Sequence, residues 1–409
     1  MKIAFVSEHA SPVAQVGGVD AGGQNVFVDQ LARAVAHTAR PGIPASRHPG
    51  IEITVFTRRA SLGGADRIRI DRQVVVEFIP AGPPTEISKD ELLPYVPEMA
   101  AYLARRWAED PPDVVHAHFW MSGRAALLAA RPLGIPVVQT FHALGTVKSR
   151  HQGELDTSPP ERLGIEREVV QGCDALVALC ADEVAELLRL DASLGRVRVI
   201  PCGVDVGAFT PEGPVAGRGG GGARILTLSR LIRRKGIENV VAALRELPGA
   251  ELVVAGGPPE ARLGEDAEVR RLRNVAREAG VSERVRFLGR VPREDVPALL
   301  RSADVFVCVP WYEPFGMTAL EAMACGVPVV ASAVGGFLDT VEDGVTGFLV
   351  SPSRPEMLPE ALAKLLGDAE LRESFGKAAV VRAQEYSWDR IAEKTMAVYR
   401  GLSAGGRSR

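Results

Sequence analysis

The feature that most constrains this chain is an alternation of short apolar runs with longer helical stretches, which occurs twice. Residues 2–7, 53–57, 74–79, 113–117, 137–140, 175–179 and 197–200 are apolar runs of strand length. Between them lie helix-length segments such as 27–36, 92–107 and 162–171. Beyond residue 222 the pattern restarts, with strands at 224–229, 251–255, 285–288, 305–309, 329–331 and 347–350 and a helix at 237–247. Such strands, separated by helices, pack as a parallel sheet covered on both faces. The predicted fold class is α/β, with two Rossmann-like doubly wound parallel-sheet domains.

A chain of 409 residues exceeds what one hydrophobic core usually sustains. The stretch 201–222 holds prolines and ends in four consecutive glycines, so it reads as a flexible joint. The first domain is placed at 1–203 and the second at 204–387. Two such halves imply a cleft, and ligands of these folds sit at the carboxyl ends of the strands. Residues 40–50, with three prolines, read as an exposed loop, and the tail from Ser403 as frayed.

The net charge of −3 argues against bulk attraction to nucleic acid, so no nucleic-acid partner is expected. Cys173, Cys180, Cys202, Cys308 and Cys325 are scattered and lack zinc-ligand spacing. They read as buried thiols of a reducing compartment. The first apolar run is too short for a signal peptide, and no run approaches the ~18 residues of a membrane span. A cytoplasmic protein without a transmembrane segment is expected.

Four segments carry candidate chemistry. Asp20-Ala-Gly-Gly-Gln-Asn25 follows the first strand, where glycines let backbone amides approach an anion. A tight turn would need Gly22 and Gly23 as well, and the dinucleotide spacing Gly-x-Gly-x-x-Gly is absent. Arg230 and Lys235 lie five apart in the loop that opens the second domain. Two cations beside a helix N-terminus suit a diphosphate, although a solvated basic turn would look similar. Segment 311–322 reads Trp-Tyr-Glu-Pro-Phe-Gly-Met-Thr-Ala-Leu-Glu-Ala, with a helix expected to start near Phe315. Its amides would face a ligand, Glu313 could reach a sugar hydroxyl, and Glu321 could accept both hydroxyls of a ribose. Glu321 sits among Ala319, Leu320, Ala322 and Met323, and a carboxylate there needs a partner or a task. Finally, His116 and His118 end one strand and His142 follows another. No third histidine has metal-ligand spacing, so no metal site is expected. His116 reads as structural, and His142 as the stronger functional candidate.

These segments, in this order, resemble the family 4 retaining glycosyltransferases, which have the GT-B fold. Glu313 to Glu321 is similar to that family's Glu-x7-Glu motif, and Arg230, Lys235 and the Gly22-Gly23 loop match too. Within the family, segments 20–25, 116–123 and 140–148 resemble the sucrose-phosphate synthases and the mycothiol-pathway enzymes that use inositol phosphate, and segment 88–92 is similar to the mycothiol group. The resemblance implies that Arg230, Lys235 and the Gly23 amide hold the donor diphosphate. Phe315, Gly316, Met317 and Thr318 would present amides to the donor, and Arg290 and Val291 would meet its base. Glu321 would bind the ribose, Glu313 the transferred sugar, and His142 that sugar near the reacting centre. Lys89 and Arg162 match residues that bind an acceptor phosphate. His118, Phe119, Ala143 and Lys148 fall in the segments lining the same acceptor site. A final helix, about 388–409, is expected to pack back on the first domain.

Two positions depart from the mycothiol group: Phe119 replaces a tyrosine and Ala143 a threonine. Both hydroxyls would touch the acceptor phosphate, so inositol phosphate is a doubtful acceptor and another small polar sugar or cyclitol is expected. The implied reaction retains configuration by front-face attack, and the leaving diphosphate takes the acceptor's proton. Arg230, Lys235 and the amides would stabilise the leaving group, so no cofactor or metal is expected. The donor is a nucleotide sugar carrying a hexose or N-acetylhexosamine, a UDP-sugar ahead of GDP-mannose. A homodimer is compatible with this reading. The rivals are a GT-B epimerase, which would need no acceptor, a phosphorylase, which would need pyridoxal phosphate, and a two-lobed solute-binding protein.

Overall fold

The computed structural model describes residues 1–14, 22–38, 50–218 and 222–406. Asp20, Ala21, loop residues 40–49, glycines 219–221 and the last three residues of the tail lie outside them. The chain divides into two units: Met1–Gly203 with Trp388–Arg409, and Val204–Ser387.

Unit 1 is built on strands β1 (Lys2–Val6), β2 (Glu52–Arg58), β3 (Arg67–Asp71), β4 (Val74–Ile79), β5 (Val114–His118), β6 (Val137–Thr140), β7 (Ala175–Ala178) and β8 (Val197–Val199). Their order is β3-β4-β2-β1-β5-β6-β7-β8. All neighbours are parallel except β3, which pairs antiparallel with β4. The central strands are apolar on both faces because helices cover both. Sequence reading missed β3: Arg-Ile-Arg-Ile-Asp is an exposed edge strand, and its charges suit an edge.

Unit 2 holds β9 (Ala223–Leu228), β10 (Ala250–Ala255), β11 (Val285–Gly289), β12 (Val305–Cys308), β13 (Val329–Ser332) and β14 (Gly347–Val350). Their order is β11-β10-β9-β12-β13-β14, all parallel. In each sheet the chain winds outward one way from the first strand, then the other. The crevice of a doubly wound sheet opens at that reversal, beside β1 and β5 in unit 1 and beside β9 and β12 in unit 2.

The helix Trp388–Gly406 belongs to unit 1. Its Trp388 ring meets Phe27 edge-on at 5.5 Å, and Tyr399 Oη lies 2.5 Å from His116 Nδ1. The stretch expected as a loose joint is largely packed on unit 2. Phe209 is buried, and Arg301 donates to the carbonyls of Thr210 and Pro214. Apolar burial and these bonds fix residues that composition alone suggested were free.

Candidate active site

In unit 2 the loop after β9 and the loop after β12 knit together. Trp311 N donates to Arg234 O at 2.8 Å, and the Arg234 guanidinium lies 4.9 Å from the Tyr312 ring centre. Lys235 sits in the 3-10 turn Arg233–Lys235, and Gly236 then caps the helix Ile237–Ala243 with φ +66°. A Cβ at Gly236 would lie 2.1 Å from Val309 O, so glycine is required for this approach.

This contact brings two candidates together, because Lys235 Nζ donates to Glu313 Oε2. The pair is largely buried, with side-chain exposures of 17% and 14%. Burial pulls the Lys235 ammonium below its usual value, helped by Arg234 and Arg230, against the pull of Glu313. Burial pushes the Glu313 carboxyl up, but Lys235, Arg234 and Arg230 outweigh it and hold the group low. Three cations therefore surround one carboxylate, an excess of positive charge where the sequence places a diphosphate. Arg230 itself is exposed.

The helix expected near Phe315 begins two residues later, at Met317–Ala324. Gly316 takes φ +86°, and a Cβ there would meet Phe337 at 2.0 Å, so the left-handed turn delays the helix. Phe315 and Gly316 thus precede it, while the Met317 and Thr318 amides lie in its first turn, where amides lack intrahelical partners. One turn on, Glu321 is 2% exposed. Arg293 donates to its Oε1 at 2.6 Å, and Oε2 is buried with no hydrogen-bond partner among the described residues. Arg293 also lies 4.6 Å over the Phe209 ring. Sequence reading missed Arg293, since only folding carries it across from another element. Arg290 and Val291 follow β11 in the same segment as Arg293, and Arg290 N is bonded to Pro258 O at 3.0 Å.

In unit 1 the carboxyl ends of β1, β5 and β6 gather the other candidates. Gly22 precedes the helix Gly23–His37, and its N–H donates to Asn25 Oδ1 at 2.9 Å. Gly23 opens that helix. Gln24 reaches Ser7 Oγ and His118 O, both at 3.4 Å. His118 Nδ1 lies 3.1 Å from His142 Nε2. Phe119 and His142 both take positive φ, +81° and +60°, a strained conformation concentrated at functional positions. His116 is buried and lies between Tyr399 and Thr140 Oγ1, 2.8 Å from the latter, which is a structural role.

The acceptor candidates also converge. Thr157 Oγ1 donates to Asp90 Oδ2 at 2.6 Å, joining the Lys89–Glu91 turn to the segment before the helix Arg162–Gly172. Lys148 pairs with Asp156 at 2.9 Å and donates to Ser158 Oγ. Arg162 is 3% exposed, pairs with Glu166 at 2.8 Å and donates to Ala143 O at 2.6 Å. Its guanidinium lies 5.2 Å from the Phe119 ring centre. Phe119 and Ala143 thus hold Arg162 through a ring face and a carbonyl. Sequence reading also missed Glu8, His9 and Ser122, which cluster beside Phe119.

Two family models match the chain: Glycosyltransferase Family 4 over residues 21–207 and Glycosyl transferases group 1 over residues 214–382. The D-inositol 3-phosphate glycosyltransferase of Kribbella flavida is 36% identical, covering 98% of this chain and 95% of that protein. The chain belongs to the family 4 glycosyltransferases. A second relative, D-inositol 3-phosphate glycosyltransferase 1 of Catenulispora acidiphila, is 35% identical over 100% of this chain and 97% of its own length. Among solved structures, the sucrose-phosphate synthase of Thermosynechococcus elongatus matches with a TM-score of 0.88 and 32% identity, covering 99% of both chains. HepE of Anabaena, in complex with UDP and glucose, matches at TM-score 0.73 and 18% identity over 98% of this chain and 100% of its own, a likeness of fold. The fold is GT-B and the activity is glycosyl transfer. Among the described residues, no helix of this glycosyltransferase is long and apolar enough to cross a membrane.

Proposed function

We propose that this glycosyltransferase moves a hexose or N-acetylhexosamine from a nucleotide sugar, a UDP-sugar ahead of GDP-mannose, to a small sugar or cyclitol acceptor. Transfer retains configuration and uses no metal. The observation that carries the reading is the cluster at the β9/β12 reversal. There Arg230, Arg234 and Lys235 outnumber Glu313, beside the opening amides of the Met317–Ala324 helix. Charge developing on a leaving diphosphate is stabilised by such preset donors without reorganisation. The unpartnered Glu321 Oε2 is an acceptor suited to a ribose hydroxyl once the donor is seated.

The names of the relatives support an acceptor bearing a phosphate. In this chain Arg162, Lys148 and Lys89 would meet it. Phe119 and Ala143 supply no hydroxyl, and Arg162 and Lys148 already hold carboxylates. These features favour an acceptor other than inositol 3-phosphate.

A thermal-shift panel of UDP, GDP, ADP and their sugars, run with EDTA, tests the reading. A ligand that binds only the native state raises the melting temperature by mass action. A shift with UDP or UDP-sugars is expected, and it persists in EDTA. No shift with any nucleotide would overturn the donor assignment.

A further inference from the structure

Arg293 and Glu321 meet in unit 2 although 28 positions separate them in the chain. Glu321 lies on the helix Met317–Ala324 among Ala319, Leu320, Ala322 and Met323, all buried. Arg293 opens the turn Arg293–Asp295, and its guanidinium lies 4.6 Å over the ring of the buried Phe209. That ring is itself held in place. Phe209 N donates to Asp205 O at 2.9 Å, and Asp205 Oδ1 accepts the N–H groups of Gly207 and Ala208, both at 3.0 Å. A planar guanidinium on a fixed ring face is a preorganised donor. Such a group commonly takes both oxygens of a carboxylate in a fork. Here it takes one: Nη2 donates to Oε1 at 2.6 Å, while Oε2 is buried with no hydrogen-bond partner among the described residues. A buried carboxylate oxygen without a donor is costly unless a ligand supplies one. The two oxygens of Glu321 therefore differ: one is engaged inside the protein, and the other is left as an acceptor.

We propose that Arg293 is a positioning residue for the nucleoside, and that through Glu321 it makes the donor site selective for ribose over its deoxy forms. The inference rests on the donor reading proposed above, and it gives Arg293 the task of setting Glu321. Held at Oε1, the carboxylate cannot turn about its last bond without breaking a charge-assisted hydrogen bond, so Oε2 stays available. A ribose hydroxyl donates to Oε2 and satisfies the oxygen that the fold leaves unpaired. A nucleotide without ribose hydroxyls has no such donor, and Oε2 stays buried and unpaired beside it. A site built to bond a hydroxyl rejects the analogue that lacks it for this reason. Phe209 acts one step further out, by keeping the guanidinium in place.

The test is calorimetric binding of UDP and of dideoxy-UDP, which lacks both ribose hydroxyls, to the wild type, Arg293→Ala and Arg293→Lys. Melting curves show that each variant folds, and Arg293→Gln replaces Arg293→Ala if the latter does not. The wild type should prefer UDP by about tenfold or more, the worth of a hydrogen bond to a charged group. In Arg293→Ala, UDP should weaken by about tenfold while dideoxy-UDP changes by less than about threefold, so that the preference largely vanishes. Lysine should restore part of it. An attraction between Arg293 and the diphosphate would act on both ligands, so an equal weakening of the two overturns the proposal. An undiminished preference in Arg293→Ala also overturns it, as does tighter UDP binding, which would make Arg293 a group that blocks Glu321. A wild type that binds both ligands equally shows that Oε2 meets no ribose hydroxyl, and overturns the proposal while the donor reading stands. A wild type that binds neither overturns the UDP reading itself, and this role with it.

Discussion

His116 is 1% exposed, and burial pulls its pKa from 6.5 down to about 3. Burial, with nearby His116 and His9, brings His142 to about 3 as well, and His118 is held well below its usual range for the same first reason. In the unfolded chain each imidazole binds a proton near pH 6.5, whereas the folded ones stay neutral far below it. Falling pH therefore favours unfolding. This stability is full above pH 6.5 and is lost progressively toward pH 3. At pH 5 the loss from His116 is about 2 kcal/mol. Melting curves at pH 7 and pH 5 should show the wild type losing more stability than His116→Asn. Equal losses would assign the acid sensitivity elsewhere. At this scale the sequence singled out Lys235, Glu313 and Glu321 as candidates, because they stand in a recognisable spacing. It could not show Arg293 against Glu321, or Ser122 against Glu8 across 114 positions, because only folding makes those neighbours.

The Lys235–Glu313 pair depends on one loop seated against another. Gly236 has φ +66°, and Val309 O stands where its side chain would be. Gly236→Ala therefore costs the left-handed penalty of about 1–2 kcal/mol plus displacement of the β12 loop. It should lower stability by about 2 kcal/mol or more in denaturant titration, and weaken the nucleotide thermal shift by moving Lys235 off Glu313. An unchanged shift would mean that the loop contact does not position the cations. Strand positions were legible in the sequence because buried parallel strands are continuous apolar runs: β4, β6 and β14 fall where the pattern put them. β3 was not, because an exposed edge strand has no apolar run, and the helix at Met317 was misplaced because Gly316 takes its turn for a reason lying in Phe337.

Across the whole molecule the chain enters unit 2 at Val204 and returns to unit 1 at Trp388. Trp388, Ile391, Ala392, Met396 and Tyr399 are all buried, and Tyr399 bonds His116. A chain ending at Ser387 would expose the Phe27 and His116 surfaces and leave a buried imidazole short of a partner. Calorimetry should show the unit 1 transition lowered or lost, while the nucleotide shift of unit 2 persists. A full-strength unit 1 transition would show the helix to be dispensable. The sequence by itself determined the two α/β sheets, the family, and the segments that carry chemistry. Periodicity and local motifs are properties of neighbouring residues, and they survive without a fold. Only the tertiary structure decided which charges meet. Lys235 finds Glu313, Arg293 finds Glu321, and Glu8 finds His9 and Ser122 because parallel sheets bring loops distant in the chain to one edge, where burial makes every unpaired charge costly.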